Sequence, residues 1–112
     1  MKYNNKFILG DSCEELKKLE SESIDMVLTS PPYDNLRTYE GTCFWNFDVF
    51  KTIANELARV LKPGGVIVWV VADATENGSE TGTSFRQALY FKEIGLNIHD
   101  TMIWSKGGFT AV

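Results

Sequence analysis

The sequence predicts an α/β fold, a mostly parallel sheet flanked by helices. Three observations carry that prediction. Short apolar runs of strand length alternate with segments whose apolar residues recur at helical spacing, and polar, glycine- or proline-bearing clusters separate the two kinds. The resulting order, β-α-β-α-β-α-β, belongs to sheets whose parallel strands are joined by crossover helices. The run from Gly64 to Asp73, "GGVIVWVVAD", is almost continuously apolar, as a strand covered on both faces and central to a sheet is.

Taken in order, "KFILGD" reads as a strand ended by Gly10, and Ser12 with Glu15 has the spacing of a capping box for a short helix from Cys13 to about Glu20. "IDMVLT" from Ile24 is a second strand. Pro31 and Pro32 must end it, because proline gives no amide hydrogen to a ladder and restricts the residue before it. "DNLRTYEGTCFWN" is a long polar loop, after which Phe50, Ile53, Leu57, Val60 and Leu61 recur as a helix that stops at "KPGG". "GGVIVWVVAD" follows as the central strand and "ATENGSETGT" as a loop. Ser84 and Gln87 suggest a second capping box, with Phe85, Ala88, Leu89 and Ile94 facing the core until Gly95. "LNIHDTMIWSKG" reads as a last strand.

A chain of 112 residues buries one modest core, so residues 1–112 are expected to form one domain with no second. Hydrophobic residues make up 44% and charged residues 23%, an ordinary globular balance. No apolar run is long enough for a membrane span or a signal peptide, which points to the cytoplasm. The net charge of −4 excludes gripping a polyanion by bulk charge. One histidine, His99, and two cysteines, Cys13 and Cys43, make no zinc spacing and no disulfide framework, so no metal is expected. Neither cysteine carries a signature of a depressed thiol pKa, and covalent catalysis is not expected.

In such sheets ligand-binding groups gather on loops at the carboxyl ends of the strands, which here are "GDS", "TSPPYDN", "ADATENGSETG" and "SKGG". In "VLTSPPYDN" the paired prolines freeze the backbone, so the carbonyl of Ser30 or Pro31 can be aimed without a neighbouring amide competing for it. Ser30 adds a hydroxyl, and Tyr33 a flat face for stacking. Together they suit a planar group bearing an NH2. The plainer reading is a rigid loop with a packing tyrosine; the position at a strand's carboxyl end favours the site.

"ILGDSCEELKKLESESIDMVLTSPPYDN" resembles the start of the DNA amino-methyltransferases, in the permuted class whose catalytic motif precedes the cofactor-binding motif. "LARVLKPGGVIVWVV" and "MIWSKG" resemble the blocks that follow in that family. The resemblance implies a Rossmann-like methyltransferase sheet, methyl transfer from S-adenosylmethionine to an exocyclic amino group of a DNA base, cytosine N4 more than adenine N6, and a place in restriction-modification. It implies that Ser30 and the Pro31 carbonyl, on a backbone fixed by Pro32, accept hydrogen bonds from the target amino group, with Tyr33 stacking on a base swung out of the duplex. It places Asp11 and Thr29 on the cofactor side, although Asp11 also reads as a plain helix-start aspartate. Asp34 and Asn35 reach the substrate or shape the turn. Trp104 and Lys106 match a block lining the target-base side; Trp104 also reads as core and Lys106 suits a phosphate.

The family's glycine-rich cofactor loop, of the kind "DPFxGSGT", does not occur in these 112 residues. The resemblance therefore implies a partial sheet, with the "FILGD" strand cut off from "IDMVLT" by strands not in the sequence, and a truncated product or fragment. Unpaired edges predict a homo-oligomer or a rearranged assembly when the chain is alone. Two other functions are compatible with the residues: methylation of a non-DNA planar amide or an RNA base, and an inactive remnant serving as a binding module.

Overall fold

The structure, a computed structural model, describes residues 5–34, 45–105 and 107. Asn35, Cys43 and Lys106 lie outside the described residues, as does most of the loop expected after Asp34. The elements run α1 (Ser12–Glu15), a 3-10 turn (Leu16–Lys18), β1 (Ile24–Thr29), α2 (Phe47–Val60), β2 (Leu61–Trp69), β3 (Thr75–Glu76), β4 (Ser79–Glu80) and α3 (Thr83–Glu93). β1 and β2 pair in parallel, with Val27 opposite Ile67 and Thr29 opposite Trp69. The fold is α/β, with a parallel pair and flanking helices, as the alternating pattern predicts.

α2 forms where the periodicity places it, except that it ends at Val60 and Leu61 opens β2. Asn46 caps it, its side-chain oxygen accepting from the Val49 amide at 2.8 Å, and Phe50, Ala54, Leu57 and Val60 form the buried stripe. Its last carbonyls are not orphaned, because Glu22 and Ser23 donate to the carbonyls of Arg59 and Val60 on the way into β1. From the same end the Arg59 guanidinium donates to the carbonyls of Leu16 and Leu19, both at 2.9 Å, to the Ser21 hydroxyl at 3.1 Å, and to Glu56. This one side chain fastens the short N-terminal helical turn to α2.

The core is a knot of rings. Phe50, with no exposure, meets Phe47, Trp69, Tyr90 and Phe91 at centroid distances of 5.4–5.7 Å, edge-on except for Phe47. Ile67 and Trp69 bring one face of the sheet to this cluster. The other face of the sheet is uncovered among the described residues: Met26, Leu28 and Val66 are each more than half exposed.

Several expectations are corrected. "KFILGD" is no strand: residues 5–11 run without regular structure before α1, and Phe7 and Leu9 are fully exposed. "LNIHDTMIWSKG" is not one either through its described residues, and Met102, Ile103 and Trp104 stand in solvent. An apolar run becomes a strand only when a neighbour supplies the ladder, and neither segment has one among the described residues. The same shortage denies β2 its central place, since β1 is its only partner among the described residues and one face stays open. β2 begins at Leu61, three residues earlier than expected, and takes up Pro63–Gly65 in a register shift opposite Ile24–Met26.

Both capping boxes are wrong. Asp11, not Ser12, caps α1, accepting from the Cys13 amide at 2.8 Å, and the helix tightens to a 3-10 turn that stops at Lys18. Gly82, in left-handed conformation, occupies the cap position of α3 and gives no side-chain bond. α3 is also rotated from its expected facing: Phe85 and Leu89 are more than 60% exposed, whereas Gln87 and Phe91 are buried and Tyr90 packs on the core, with Ile94 inward as expected. The Gln87 carbonyl oxygen accepts the Trp69 indole N–H at 3.0 Å, so a polar residue holds an inward position that an apolar-face reading assigns to its neighbours. Among the described residues no helix is long and apolar enough to cross a membrane.

Candidate functional site

The last rung of the parallel pair is the Val70 amide donating to the Thr29 carbonyl at 3.0 Å. One residue later the ladder must stop, because Pro31 and Pro32 have no N–H to give. The chain leaves the sheet at Ser30, whose exposed hydroxyl makes no hydrogen bond to the described residues, while Pro31 is buried and Pro32 and Tyr33 are half-buried. The prolines anchor the loop by burial and leave its polar atoms at the carboxyl end of the strand.

Asp34 closes the loop. Its φ of 34° lies in the left-handed region, which an aspartate tolerates better than most side chains. Its Oδ2 accepts from the Ala74 amide at 3.0 Å and from the Thr81 hydroxyl at 2.7 Å, and the Thr83 hydroxyl lies 3.3 Å from that of Thr81. Partial burial alone would raise the Asp34 carboxyl. The hydrogen bonds from Thr81, Ala74 and Thr83, with the Arg86 charge, outweigh it and hold the carboxyl below its ordinary range.

The segment that Asp34 grips is itself built. Residues 75–80 form a two-stranded antiparallel ribbon, with Thr75 opposite Glu80, turned by Asn77 and Gly78 at φ 52° and 77°. Positive φ at both central residues is the geometry that an Asn-Gly pair favours. Asp73, four residues past the end of β2, accepts from the Ser84 amide and hydroxyl, both at 2.8 Å, and so ties the strand end to the first turn of α3. Beside the loop lies a cleft of about 260 Å3 whose walls include Asp34, Trp45, Phe47, Thr81, Arg86 and Gln87. The Arg86 guanidinium sits 5.4 Å from the centre of the Phe47 ring.

The sequence-predicted residues therefore divide. Thr29, Ser30, Pro31, Pro32, Tyr33 and Asp34 are contiguous at the strand end. Asp11 is exposed and spends its carboxylate on the α1 cap, and Trp104 lies on the exposed tail with most of its surface in solvent. Asn35 and Lys106 are outside the described residues. Residues without a site reading from the sequence are Asp73, Thr81 and Arg86, and Gln87, expected in a capping box, lines the cleft instead. The Asn-Gly dipeptide was the one local signal that the "ATENGSETGT" stretch carries a turn of defined geometry.

A donor such as S-adenosylmethionine needs a cradle for a charged methionine part and a flat adenine. The described residues do not fit one: Asp11 is committed to its cap, and neither it nor Thr29 lines the cleft. Partial burial and the nearby Asp11 push the Cys13 thiol up, away from nucleophilic use. Among the described residues no three metal-ligating side chains gather at one point.

A family model described as DNA methylase matches residues 24–111. The chain is 62% identical over 84 residues to the orphan methyltransferase M.BamHII of Bacillus amyloliquefaciens, covering 75% of this chain and 30% of that protein. It is 33% identical over 114 residues to the type II beta methyltransferase M.BslI of a Bacillus species, covering 91% of this chain and 12% of that one. To the DNA adenine methyltransferase YhdJ of Escherichia coli it is 37% identical over 76 residues, 62% of this chain and 25% of that one. The chain thus spans less than a third of the length of each of these relatives.

Proposed function

The chain belongs to the DNA methylase family, and from that premise we propose that it carries the target-base side of a DNA amino-methyltransferase, acting in the cytoplasm on cytosine N4. In this reading the Ser30 hydroxyl and the Pro31 carbonyl accept the two N–H bonds of the amino group. Bonds to both hydrogens fix the nitrogen's orientation and raise its electron density where its lone pair must react. Tyr33 stacks on the ring, which must leave the duplex to reach it. The methyl donor the family implies is S-adenosylmethionine, and the described residues supply orientation of the acceptor rather than a seat for the donor.

One observation carries this reading. A hydroxyl with no hydrogen bond to the described residues, a proline carbonyl and a tyrosine lie in succession at the carboxyl end of a parallel strand, on a loop held at both ends. Trp104 and Lys106 are proposed to meet the DNA outside this loop. The similarity to an adenine methyltransferase favours adenine N6 as the second reading.

The test is methyl transfer by the complete polypeptide that carries this chain. Ser30→Ala and Tyr33→Ala should each lower transfer by about a hundredfold, the scale of losing one preorganised contact at the reacting group, with the far-UV spectrum unchanged. Full activity in both variants would remove the loop from the site.

We also propose that the isolated chain associates with a second copy. The support is the open face of β1 and β2, where Met26, Leu28 and Val66 are exposed, together with strand edges that have no partner among the described residues. Light scattering on the eluting 112-residue chain should give at least twice 12.6 kDa, and a stable monomer would refute it.

A further inference from the structure

We propose that Asp34 is the positioning residue of the Ser30–Tyr33 loop, acting as a latch on the 74–84 segment and not as a contact to the substrate. This rests on the reading of that loop as the seat of the target amino group.

The geometry is a clamp at both ends. Upstream, the Thr29 carbonyl is held by the Val70 amide; downstream, the Asp34 carboxylate is held by the Ala74 amide and the Thr81 hydroxyl. Both anchors lie on the one stretch of chain that leaves β2. The four residues between them are therefore suspended from a single rigid partner. That partner is braced in turn, because Asp73 fixes Ser84 and the Thr81 amide donates to the Ala74 carbonyl at 2.9 Å, closing the base of the Asn-Gly ribbon.

The Ala74 amide and the Thr81 hydroxyl converge on one oxygen of Asp34, Oδ2. An asparagine, which tolerates the same left-handed backbone, can present its single carbonyl oxygen there and keep both bonds. A glycine tolerates the backbone and keeps neither. The bonding oxygen of Asp34 is thus engaged by donors of this chain, the Ala74 amide and the Thr81 hydroxyl. A carboxylate so placed gains fixed donors that a solvated one lacks, and the depressed Asp34 carboxyl agrees with that.

Amide hydrogen exchange on the 112-residue chain tests the latch without needing activity. The Ala74 amide should exchange at least tenfold faster in Asp34→Gly than in wild type, and within about threefold of wild type in Asp34→Asn. Thr81→Val should speed it in the wild-type background and add nothing in Asp34→Gly. Unchanged exchange in Asp34→Gly overturns the latch. In the complete polypeptide, Asp34→Gly should lower kcat with KM for DNA unchanged, and Asp34→Asn should restore it. A raised KM at unchanged kcat would make Asp34 a substrate contact and overturn the proposal. Absence of transfer in the wild type would instead reject the base-methylation reading, and the exchange result would still decide the latch.

Discussion

Gln87 offers the sharpest test of how the core supports the site. It is 2% exposed, and its side-chain oxygen is the acceptor for the indole N–H of Trp69, the residue paired with Thr29 at the end of the sheet. Gln87→Met keeps the length and volume of the side chain and removes the acceptor. The part-buried indole donor then loses its acceptor, and a donor left unsatisfied in this way costs about 2 kcal/mol. For a domain of this size that corresponds to a fall in melting temperature of roughly 8 °C. Trp69→Phe removes the donor instead, so the pair must be non-additive: on the Gln87→Met background Trp69→Phe should cost about 1 kcal/mol less than on the wild type. Urea unfolding followed by far-UV circular dichroism measures all four proteins. Additivity within about 0.5 kcal/mol would show that the bond contributes nothing and that Gln87 is merely filling space.

Arg59→Ala releases the Leu16 and Leu19 carbonyls and the Ser21 hydroxyl together, and with a third of the side chain exposed the loss is expected at about 2–3 kcal/mol. Arg59→Lys should not rescue it in thermal melts, because one ammonium cannot reach three acceptors spread along the turn. The depressed Asp34 carboxyl sets an acid limit. Its stabilising contribution is complete above the ordinary carboxylate value of about 3.9 and is lost as pH falls through the lower folded value. Asp34→Asn should flatten that part of the stability profile measured by urea unfolding, and an unchanged acid limb would show that Asp34 does not titrate with folding.

The parts legible in the sequence are those whose signal is local. The α2 stripe repeats at helical spacing and needs only a core to face; "IDMVLT" is apolar, branched and ended by two prolines that forbid any continuation of the ladder. The two expected strands that are absent from the described residues, at Phe7–Asp11 and Leu96–Ser105, carry equally good local patterns. What they lack is a neighbour among the described residues, and a pattern of side chains does not disclose whether a neighbouring ladder exists. The α3 register is hidden from the sequence because Phe85 and Leu89 are larger apolar signals than Gln87. The core selected Gln87 for a hydrogen bond to an indole eighteen positions away, and pairing of that kind has no spacing signature. Within the site, the loop from Ser30 to Tyr33 was visible as a rigid turn at a strand's end. The partners that hold it, Ala74 and Thr81, lie forty or more residues on, inside a stretch that composition describes only as polar and glycine-bearing.

In the proposed function Ser30 to Tyr33 present a flipped base's amino group for methylation. Its most direct test is to incubate the complete polypeptide with labelled S-adenosylmethionine and unmethylated DNA, digest the product to nucleosides, and identify the labelled one by mass. Label is expected on N4-methylcytosine, lowered about a hundredfold by Ser30→Ala; label on no DNA nucleoside, or label that Ser30→Ala leaves undiminished, would refute this role of the loop.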